Sequence, residues 1–317
     1  MNWKRFTQFS SVPPSQASLA LGMIGLGQAW DLYIPVFGDL IRPYLAGLGA
    51  LLLFPVLLKY LTNHRLFISD LRHPLSGSLM APISMSLLIL CDYLAAISPI
   101  IAYPIWFAAL TLHLTMMTLF FSFQLSNFKM SNVVPSWFLY PVGLISSSLA
   151  GTQFGYNVFS STLVNTCIAI YFFMLPLVLY RLVFEGALSI RAKPTLAIMA
   201  APINLTLASY LVNFPDPDPI LTGALAGIAV TMTLFIYLCY FRLVRLQFRP
   251  SIAALTFPSV ISSVAMYRLT DFFEEFHPHW HWLHKFGLLE LTISTGLVIW
   301  VSIRYVKMYW PTLGKNN

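Results

Sequence analysis

A proline lies inside an apolar stretch that is long enough to cross a bilayer, at Pro258 within residues 249–271. Proline has no backbone N–H, so it leaves the carbonyl of Ala254 without its partner in a continuous helix. An unpaired carbonyl at membrane depth is tolerated only where protein or a water-filled cavity replaces lipid. The stretch therefore predicts a kinked membrane helix that lines a cavity.

The same pattern recurs at a nearly constant spacing. Pro82, Pro141, Pro202 and Pro258 each lie in an apolar run, at successive intervals of 59, 61 and 56 residues. This period fits one helical hairpin, made of two spans of about 20 residues plus turns. One period before Pro82 lies a similar stretch without proline, around Gly22. We therefore predict five tandem hairpins and ten membrane helices.

Composition excludes an ordinary soluble domain. Hydrophobic residues make up 58% of the chain and charged residues 9%, whereas a soluble domain has about 25% charged residues. No polar gap is long enough for a soluble domain, so we predict one integral membrane domain over residues 1–317 with no cofactor. The hairpin repeats are expected at residues 1–62, 63–125, 126–184, 185–244 and 245–317.

The distribution of basic residues indicates the orientation. The predicted spans are residues 15–34, 39–60, 76–97, 100–124, 135–152, 157–182, 194–213, 219–242, 251–270 and 284–306. All but three of the 18 Lys and Arg residues, the exceptions being Arg42, Arg268 and Lys285, fall before odd spans or after even ones. The positive-inside rule then predicts that both termini are cytoplasmic. This distribution also explains the net charge of +7 without nucleic acid binding.

The odd spans carry the prolines and most of the hydroxyl groups, so we predict that they form an inner ring and the even spans an outer ring. Five parallel repeats can close such a ring by quasi-fivefold symmetry around a pore. The alternative for each hydroxyl is a bond to its own backbone or to a neighbouring helix. The predicted pore-lining residues are Ser18, Gly22, Ser84, Ser86, Gly143, Ser147, Asn204, Thr206 and Ser262.

The chain resembles the tellurite-resistance/dicarboxylate transporter family. The resemblance lies in the five tandem hairpins, the prolines of the odd spans and the triplet Thr256-Phe257-Pro258, and it covers essentially the whole chain. That family includes bacterial TehA proteins, malate and sulfite exporters, and the slow anion channels of plant guard cells. The resemblance implies anion permeation, a homotrimer with one pore in each subunit, and location in a bacterial inner membrane.

The resemblance also implies that Phe257 occludes the pore, because a phenylalanine at this motif position does so in the family. Without the family, the alternative is a core phenylalanine, since phenylalanine is commonly buried. The chain departs from the family in the first helix, which commonly has glycine and proline near its middle. Here the sequence reads Ser18-Leu19-Ala20-Leu21-Gly22, so the first inner helix is expected to be less kinked.

The charges of the odd spans bear on mechanism. Neither Lys nor Arg falls at the middle of an odd span, so we predict a neutral pore that binds anions weakly and favours easily dehydrated ones. Asp92 and Glu290 lie within spans, where acids are functional candidates. They fit proton relay in a proton-coupled exporter of sulfite, tellurite or malate, whereas an Asp92–Arg268 ion pair is the structural alternative. The parallel repeats favour the channel.

The stretch from His277 to His284 holds four histidines and two tryptophans. Histidines at this density can bind zinc or copper, but the interleaved Trp280 and Trp282 suit an aromatic anchor at the membrane interface. We predict the anchor and no metal site. An enzyme is not predicted, because the sequence has no Gly-rich phosphate loop and no recognisable catalytic set.

Overall fold

The computed structural model describes residues 9–276 and 278–309. These residues are helical and contain no strand, which confirms the all-helical prediction. The α-helices are α1 (Gln16–Tyr33), α2 (Pro35–Thr62), α3 (His64–Arg72), α4 (Pro74–Ser78), α5 (Ala81–Ile97), α6 (Pro99–Ser126), α7 (Ser146–Gln153), α8 (Asn157–Phe184), α9 (Ala201–Asn213), α10 (Pro219–Leu243), α11 (Thr256–Phe276) and α12 (Trp282–Tyr309). Short 3-10 helices precede several of them, at Pro135–Leu139, Gly143–Ile145, Lys193–Met199, Pro250–Leu255 and Pro278–His281.

Eight helical segments of the described residues are long and apolar enough to cross a membrane. They are Pro35–Thr62, Pro74–Ile97, Pro99–Ser126, Asn157–Phe184, Lys193–Asn213, Pro219–Leu243, Pro250–Glu275 and His279–Tyr309. Helix α1 is not among them because Gln16, Gln28 and Asp31 lower its mean hydropathy, and residues 135–153 form several short helices instead of one. The count of ten spans stays a prediction.

The prolines of the odd spans lie at helix junctions and not inside continuous helices, which corrects the expectation of simple kinks. Pro82 and Pro202 are the second residues of α5 and α9, and Pro258 is the third residue of α11. Pro141 lies in the turn before Gly143–Ile145. The first N–H groups of a helix have no intrahelical acceptor, so proline is tolerated there. Each of these spans therefore consists of two helical halves.

Five segments form the interior of the protein, and we call them the inner segments: α1 and residues 74–97, 135–153, 193–213 and 250–276. Helix α1 contacts α5 and α11, α7 contacts α5 and α9, and α9 contacts α11, so the inner segments are connected in a closed cycle. In residues 74–97, 193–213 and 250–275, 67–83% of the residues of the most apolar stretch are buried. The corresponding share is 28–33% in α2, α6, α8, α10 and α12. These five longer helices, which we call the outer helices, each pack on the inner segment that precedes them.

Candidate functional site

A cavity of about 330 Å³ lies among the inner segments, near the ends of α1, α5, α7 and α9. All five inner segments contribute to its lining, and Arg42 of α2 reaches it as well. We call it the polar cavity. Its lining consists of Gly25, Gln28, Asp31, Leu32, Arg42, Ile89, Asp92, Ala96, Leu149, Thr152, Gln153, Leu205, Ala208, Ser209, Val212, Phe257, Val260, Ile261, Val264 and Arg268.

Phe257, the residue predicted to occlude a pore, lines the polar cavity. Its side chain is only 3% exposed. Gly25 of α1 lies opposite: a Cβ added there would stand 3.9 Å from two carbons of the Phe257 ring and 3.2 Å from Cγ1 of Val260. The missing side chain at Gly25 thus leaves the space that the aromatic ring and Val260 occupy between α1 and α11.

Next to this ring, α1 and α11 pack almost backbone to backbone. A Cβ on Gly22 would lie 2.5 Å from Oγ1 of Thr256 and 3.2 Å from the backbone nitrogen of Phe257. The Thr256 hydroxyl donates a hydrogen bond that is shared between the carbonyl of Ser18 at 3.0 Å and that of Ala253 at 2.8 Å. A small residue at an interface allows such close approach of two membrane helices. Gly22, Thr256 and Ser18 thus form a closed seam beside Phe257.

The charged side chains of the polar cavity meet around Arg42. Its guanidinium donates to Asp31 at 2.7 Å and to Asp92 at 3.2 Å, which joins α2 to α1 and α5. Gln153 of α7 donates to the Asp92 carboxylate at 2.6 Å, and Gln28 of α1 donates to it at 3.4 Å. The two carboxylates therefore share the Arg42 guanidinium, and Asp92 receives donors from three different helices.

The expected partner of Asp92, Arg268, lies in the same cavity but has a different ion pair. Its guanidinium is 4.0 Å from the Asp271 carboxylate, one turn along α11. Both side chains are partly exposed, at 33% and 45%, so this pair is weak. Asp92 pairs with Arg42 instead. The lining thus contains two carboxylates and two guanidinium groups, and their formal charges cancel.

A second cavity of about 330 Å³ lies at the opposite ends of the inner segments, where α1, α4 and the 3-10 helix Pro250–Leu255 begin. Arg191 and Arg249 are its charged residues, so we call it the basic cavity. Its lining consists of Pro13, Pro14, Ser15, Leu75, Ser76, Leu79, Arg191, Arg249, Pro250 and Ser251. Along α1 and residues 250–276, the seam of Gly22 and Thr256 lies between the stretches that line the two cavities, and Phe257 is the first residue of the second segment that lines the polar cavity.

None of the nine predicted pore-lining residues lines either of these two cavities. Two of them bridge an inner segment to an outer helix. The Ser84 hydroxyl lies 2.8 Å from Nδ1 of His113 on α6, and the Asn204 amide donates to Thr233 on α10 at 2.9 Å. In these two cases the polar side chain connects the inner and outer layers.

The other members of that set lie elsewhere on the inner segments, and the Ser262 side chain lies against Glu290 of α12 and Tyr237 of α10. Three hydroxyls donate to backbone carbonyls three or four residues earlier, those of Ser86, Ser147 and Ser262. Gly143 lies against Met85, since an added Cβ would stand 2.6 Å from the sulfur, and Gly22 lies in the seam. The hydroxyls of Ser18 and Thr206 are buried and have no hydrogen-bond partner in the part of the chain that the structure describes.

Glu290 of α12 lies outside both cavities. It is buried, and its Oε2 has no hydrogen-bond partner among residues 9–276 and 278–309. The structure therefore separates Glu290 from Asp92, the other acid predicted within a span, because Asp92 lines the polar cavity.

The histidine-rich stretch lies at the junction of α11 and α12, and His277 falls outside the described residues. Nδ1 of His281 is 2.8 Å from the Glu274 carboxylate, and the His281 ring stacks on His284 at 5.7 Å. Trp280 and Trp282 are exposed, with their rings 6.0 Å apart. Among the described side chains, no group of three His, Cys, Asp or Glu could hold a metal ion. That the whole stretch, with His277, holds no metal site stays a prediction.

Comparison with known proteins gives both a family and individual relatives. The family model described as a voltage-dependent anion channel matches residues 11–306. Two proteins of Methanocaldococcus jannaschii are similar: the uncharacterized transporter MJ0762, 24% identical over 209 residues, and the uncharacterized transporter MJ0576, 23% identical over 211 residues. These matches cover 60% and 61% of this chain and 60% of the length of each relative.

Proposed function

The chain belongs to the voltage-dependent anion channel (SLAC1) family, and we propose that it conducts small anions along the axis of its inner segments. The family and the apolar helices identify it as a multi-pass membrane protein. One observation carries the proposal: the buried ring of Phe257 lies at the end of the polar cavity, beside the closed seam and between that cavity and the basic cavity. In this proposal, Phe257 is the gate that blocks the conduction path.

The proposed architecture has ten spans in five hairpins with quasi-fivefold symmetry. The closed cycle of contacts among α1, α5, α7, α9 and α11 supports it. The distribution of Lys and Arg supports cytoplasmic termini, and hence a basic cavity on the cytoplasmic side and a polar cavity on the outer side. A homotrimer in a bacterial inner membrane is proposed from the family resemblance alone.

Weak anion binding suits the polar cavity as a conduction path. An ion must bind well enough to enter a pore and weakly enough to leave it. The cavity offers two guanidinium groups, but Arg42 is already bonded to Asp31 and Asp92. Ser209, whose hydroxyl is buried without a partner among the described residues, supplies a further donor in the lining. We propose that nitrate permeates better than fluoride, because nitrate loses its hydration shell more easily.

The gate is tested by recording currents from the purified protein in planar bilayers under a chloride or nitrate gradient. Phe257→Ala should carry a large current that reverses at the equilibrium potential of the anion, whereas the wild-type current should be small. Phe120→Ala is the matched control, because Phe120 is also fully buried but lies on the outer helix α6. An unchanged current in Phe257→Ala, or an equal increase in Phe120→Ala, would reject the gate.

A proton-coupled exporter of sulfite, tellurite or malate is the second candidate. Glu290 favours it, because a buried carboxyl group with an oxygen that lacks a partner is a place to hold a proton within the membrane. In proteoliposomes, this function predicts that sulfite or malate moves only when a pH gradient is imposed. It also predicts that Glu290→Gln abolishes this transport while currents in bilayers are absent for all variants.

A further inference from the structure

The basic cavity has unused hydrogen-bond donors in its wall. Ser251 is 9% exposed, and its hydroxyl has no hydrogen-bond partner among the described residues. Nε of Arg249 is likewise buried without a partner. Buried polar groups are normally hydrogen-bonded, so each exception needs an explanation, and a bound ion or an ordered water is one. Both unused groups belong to one wall of the same cavity.

The charge of this cavity is not compensated. Arg191 and Arg249 line it, and no described residue of the lining is acidic. Residues 1–8, 277 and 310–317, which the structure does not describe, contain no Asp or Glu in the sequence. Asp70, an acid of the segment before α4, is already bonded to Lys59 at 2.9 Å. The polar cavity, by contrast, has one carboxylate for each guanidinium group.

The walls of the basic cavity are held together by Tyr305 of α12. Its hydroxyl donates to the carbonyl of Pro250 at 2.6 Å and lies 3.4 Å from the hydroxyl of Ser15. Tyr305 is 1% exposed. The two walls that lead into α1 and α11 are thus fixed relative to each other, which keeps the donors of Arg249 and Ser251 in place without a ligand.

We propose that the basic cavity binds a small inorganic anion through Arg249, Ser251 and Arg191. This inference rests on the proposed function in one respect, namely that the bound anion is the permeating one, held at the cytoplasmic end of the path. Arginine and hydroxyl donors match chloride, nitrate and oxyanions. Arg191 is exposed, so water screens part of the attraction and the anion can leave again.

Direct binding is measured by chloride-35 NMR on the full chain in detergent micelles, because exchange with a protein site broadens the chloride signal. For the wild type, the broadening should saturate as the chloride concentration rises. In Arg249→Gln the affinity for chloride should be about tenfold lower, in line with the loss of a charged hydrogen bond. Ser251→Ala should weaken it less, and Arg249→Lys should retain part of it. Arg245→Gln is the control, since Arg245 is exposed and lies outside the cavity. Broadening that is equal in Arg249→Gln, Ser251→Ala and the wild type would overturn the proposal.

A phosphate group of an anionic lipid offers the same chemistry as a free anion. The NMR measurement is therefore repeated with inorganic phosphate and with phosphatidylglycerol as competitors. Competition by free phosphate is the expected result. Competition by phosphatidylglycerol alone would assign the site to a lipid headgroup and would overturn the proposal of a small-anion site.

A second arm separates this site from conduction. In the Phe257→Ala background, Arg249→Gln should raise the chloride concentration that half-saturates the current on the basic-cavity side, while the value on the other side stays the same. Chloride broadening that depends on Arg249 in a protein that carries no current would support the site and reject the channel. A current whose half-saturation is unaffected by Arg249→Gln on either side would reject the site and leave the channel intact.

Discussion

The hydroxyl of Thr256 donates a hydrogen bond to the carbonyl of Ser18 at 3.0 Å, which ties the last inner segment to the first. The bond is possible because Gly22, one turn after Ser18, presents no side chain to α11. Phe257, the proposed gate, follows Thr256 directly. The position of the aromatic ring is therefore set by how closely α1 and α11 approach each other.

Gly22→Ala is expected to destabilise the protein. The added methyl group would lie 2.5 Å from Oγ1 of Thr256, and overpacking of this kind costs about 1 to 3 kcal/mol. Gly47→Ala is the matched control, because a Cβ at Gly47 on α2 meets no atom within 4 Å. Unfolding is followed by heating the protein with a thiol-reactive dye, since Cys91 and Cys167 are buried. An equal midpoint for both variants would contradict the seam.

Arg42→Gln is expected to reduce both stability and anion current. It leaves the carboxylates of Asp31 and Asp92 without their cation. Removing one partner of a buried ion pair costs 3 to 5 kcal/mol, and we expect about 2 kcal/mol here because the side chains are 13–22% exposed. The same change gives the polar cavity a net negative charge, which repels anions. Thermal unfolding and bilayer currents in the Phe257→Ala background measure the two effects.

A double variant tests whether an uncompensated carboxylate causes the losses expected for Arg42→Gln. Arg42→Gln combined with Asp92→Asn should regain part of the stability and of the current, because one uncompensated charge is removed. Arg65→Gln is the control, since Arg65 of α3 is exposed and lines neither cavity. A double variant that is no better than Arg42→Gln alone would show that the charge balance is not the reason for the loss.

Arg268→Gln is expected to lower anion current in the Phe257→Ala background, with little effect on stability because its pair with Asp271 is weak. The polar cavity would then contain two carboxylates and one guanidinium group. The loss should be several-fold at 10 mM salt and small at 150 mM, as the screening length falls from about 30 Å to about 8 Å. Lys285→Gln, an exposed cation outside the cavity, should have no such effect. A loss independent of salt would contradict this electrostatic role.

His113→Ala is expected to destabilise the interface between α5 and α6. Nε2 of the buried imidazole donates to the carbonyl of Tyr140 at 2.7 Å, and Nδ1 lies 2.8 Å from the Ser84 hydroxyl. The loss removes the His113 donor from the buried carbonyl of Tyr140, at about 1 to 3 kcal/mol, whereas the Ser84 hydroxyl keeps the carbonyl of Ala81 as a partner at 3.0 Å. A double-mutant cycle of thermal unfolding with Ser84→Ala should give a coupling of about 1 kcal/mol. Additive effects would mean that the two residues do not interact.

The hydropathy of the chain was sufficient to predict the membrane class, and the match of residues 11–306 confirms the family resemblance. A mid-span proline shows from the sequence that a helix is interrupted there, but not whether the helix bends or ends. Pro202 is the second residue of an α-helix that follows the 3-10 helix Lys193–Met199, and this change of helix type has no clear signal in composition. The sequence therefore located the breaks but not their geometry.

The side-chain orientations could not be predicted in the same way. The position of Ser84 two residues after Pro82 predicts that it lines a pore, yet its hydroxyl contacts His113 of α6, and only the packing of α5 on α6 brings these two residues together. Asp92 and Gln153 are 61 residues apart in the chain, and nothing local connects them. Arg42 did give a signal, since it was one of the three basic residues that violated the charge distribution.

The contact between Thr256 and Ser18 spans 238 positions of the chain, so the ribosome delivers its two halves at very different times. Until α11 has been inserted, the surfaces of α1 and α9 that contact α11 in the folded protein are uncovered. A nascent chain that stops after α10 would have an inner layer open on one side, and it would lack Phe257, the proposed gate. Completion of the inner layer thus depends on α11, which is synthesised after the other four inner segments and carries the proposed gate.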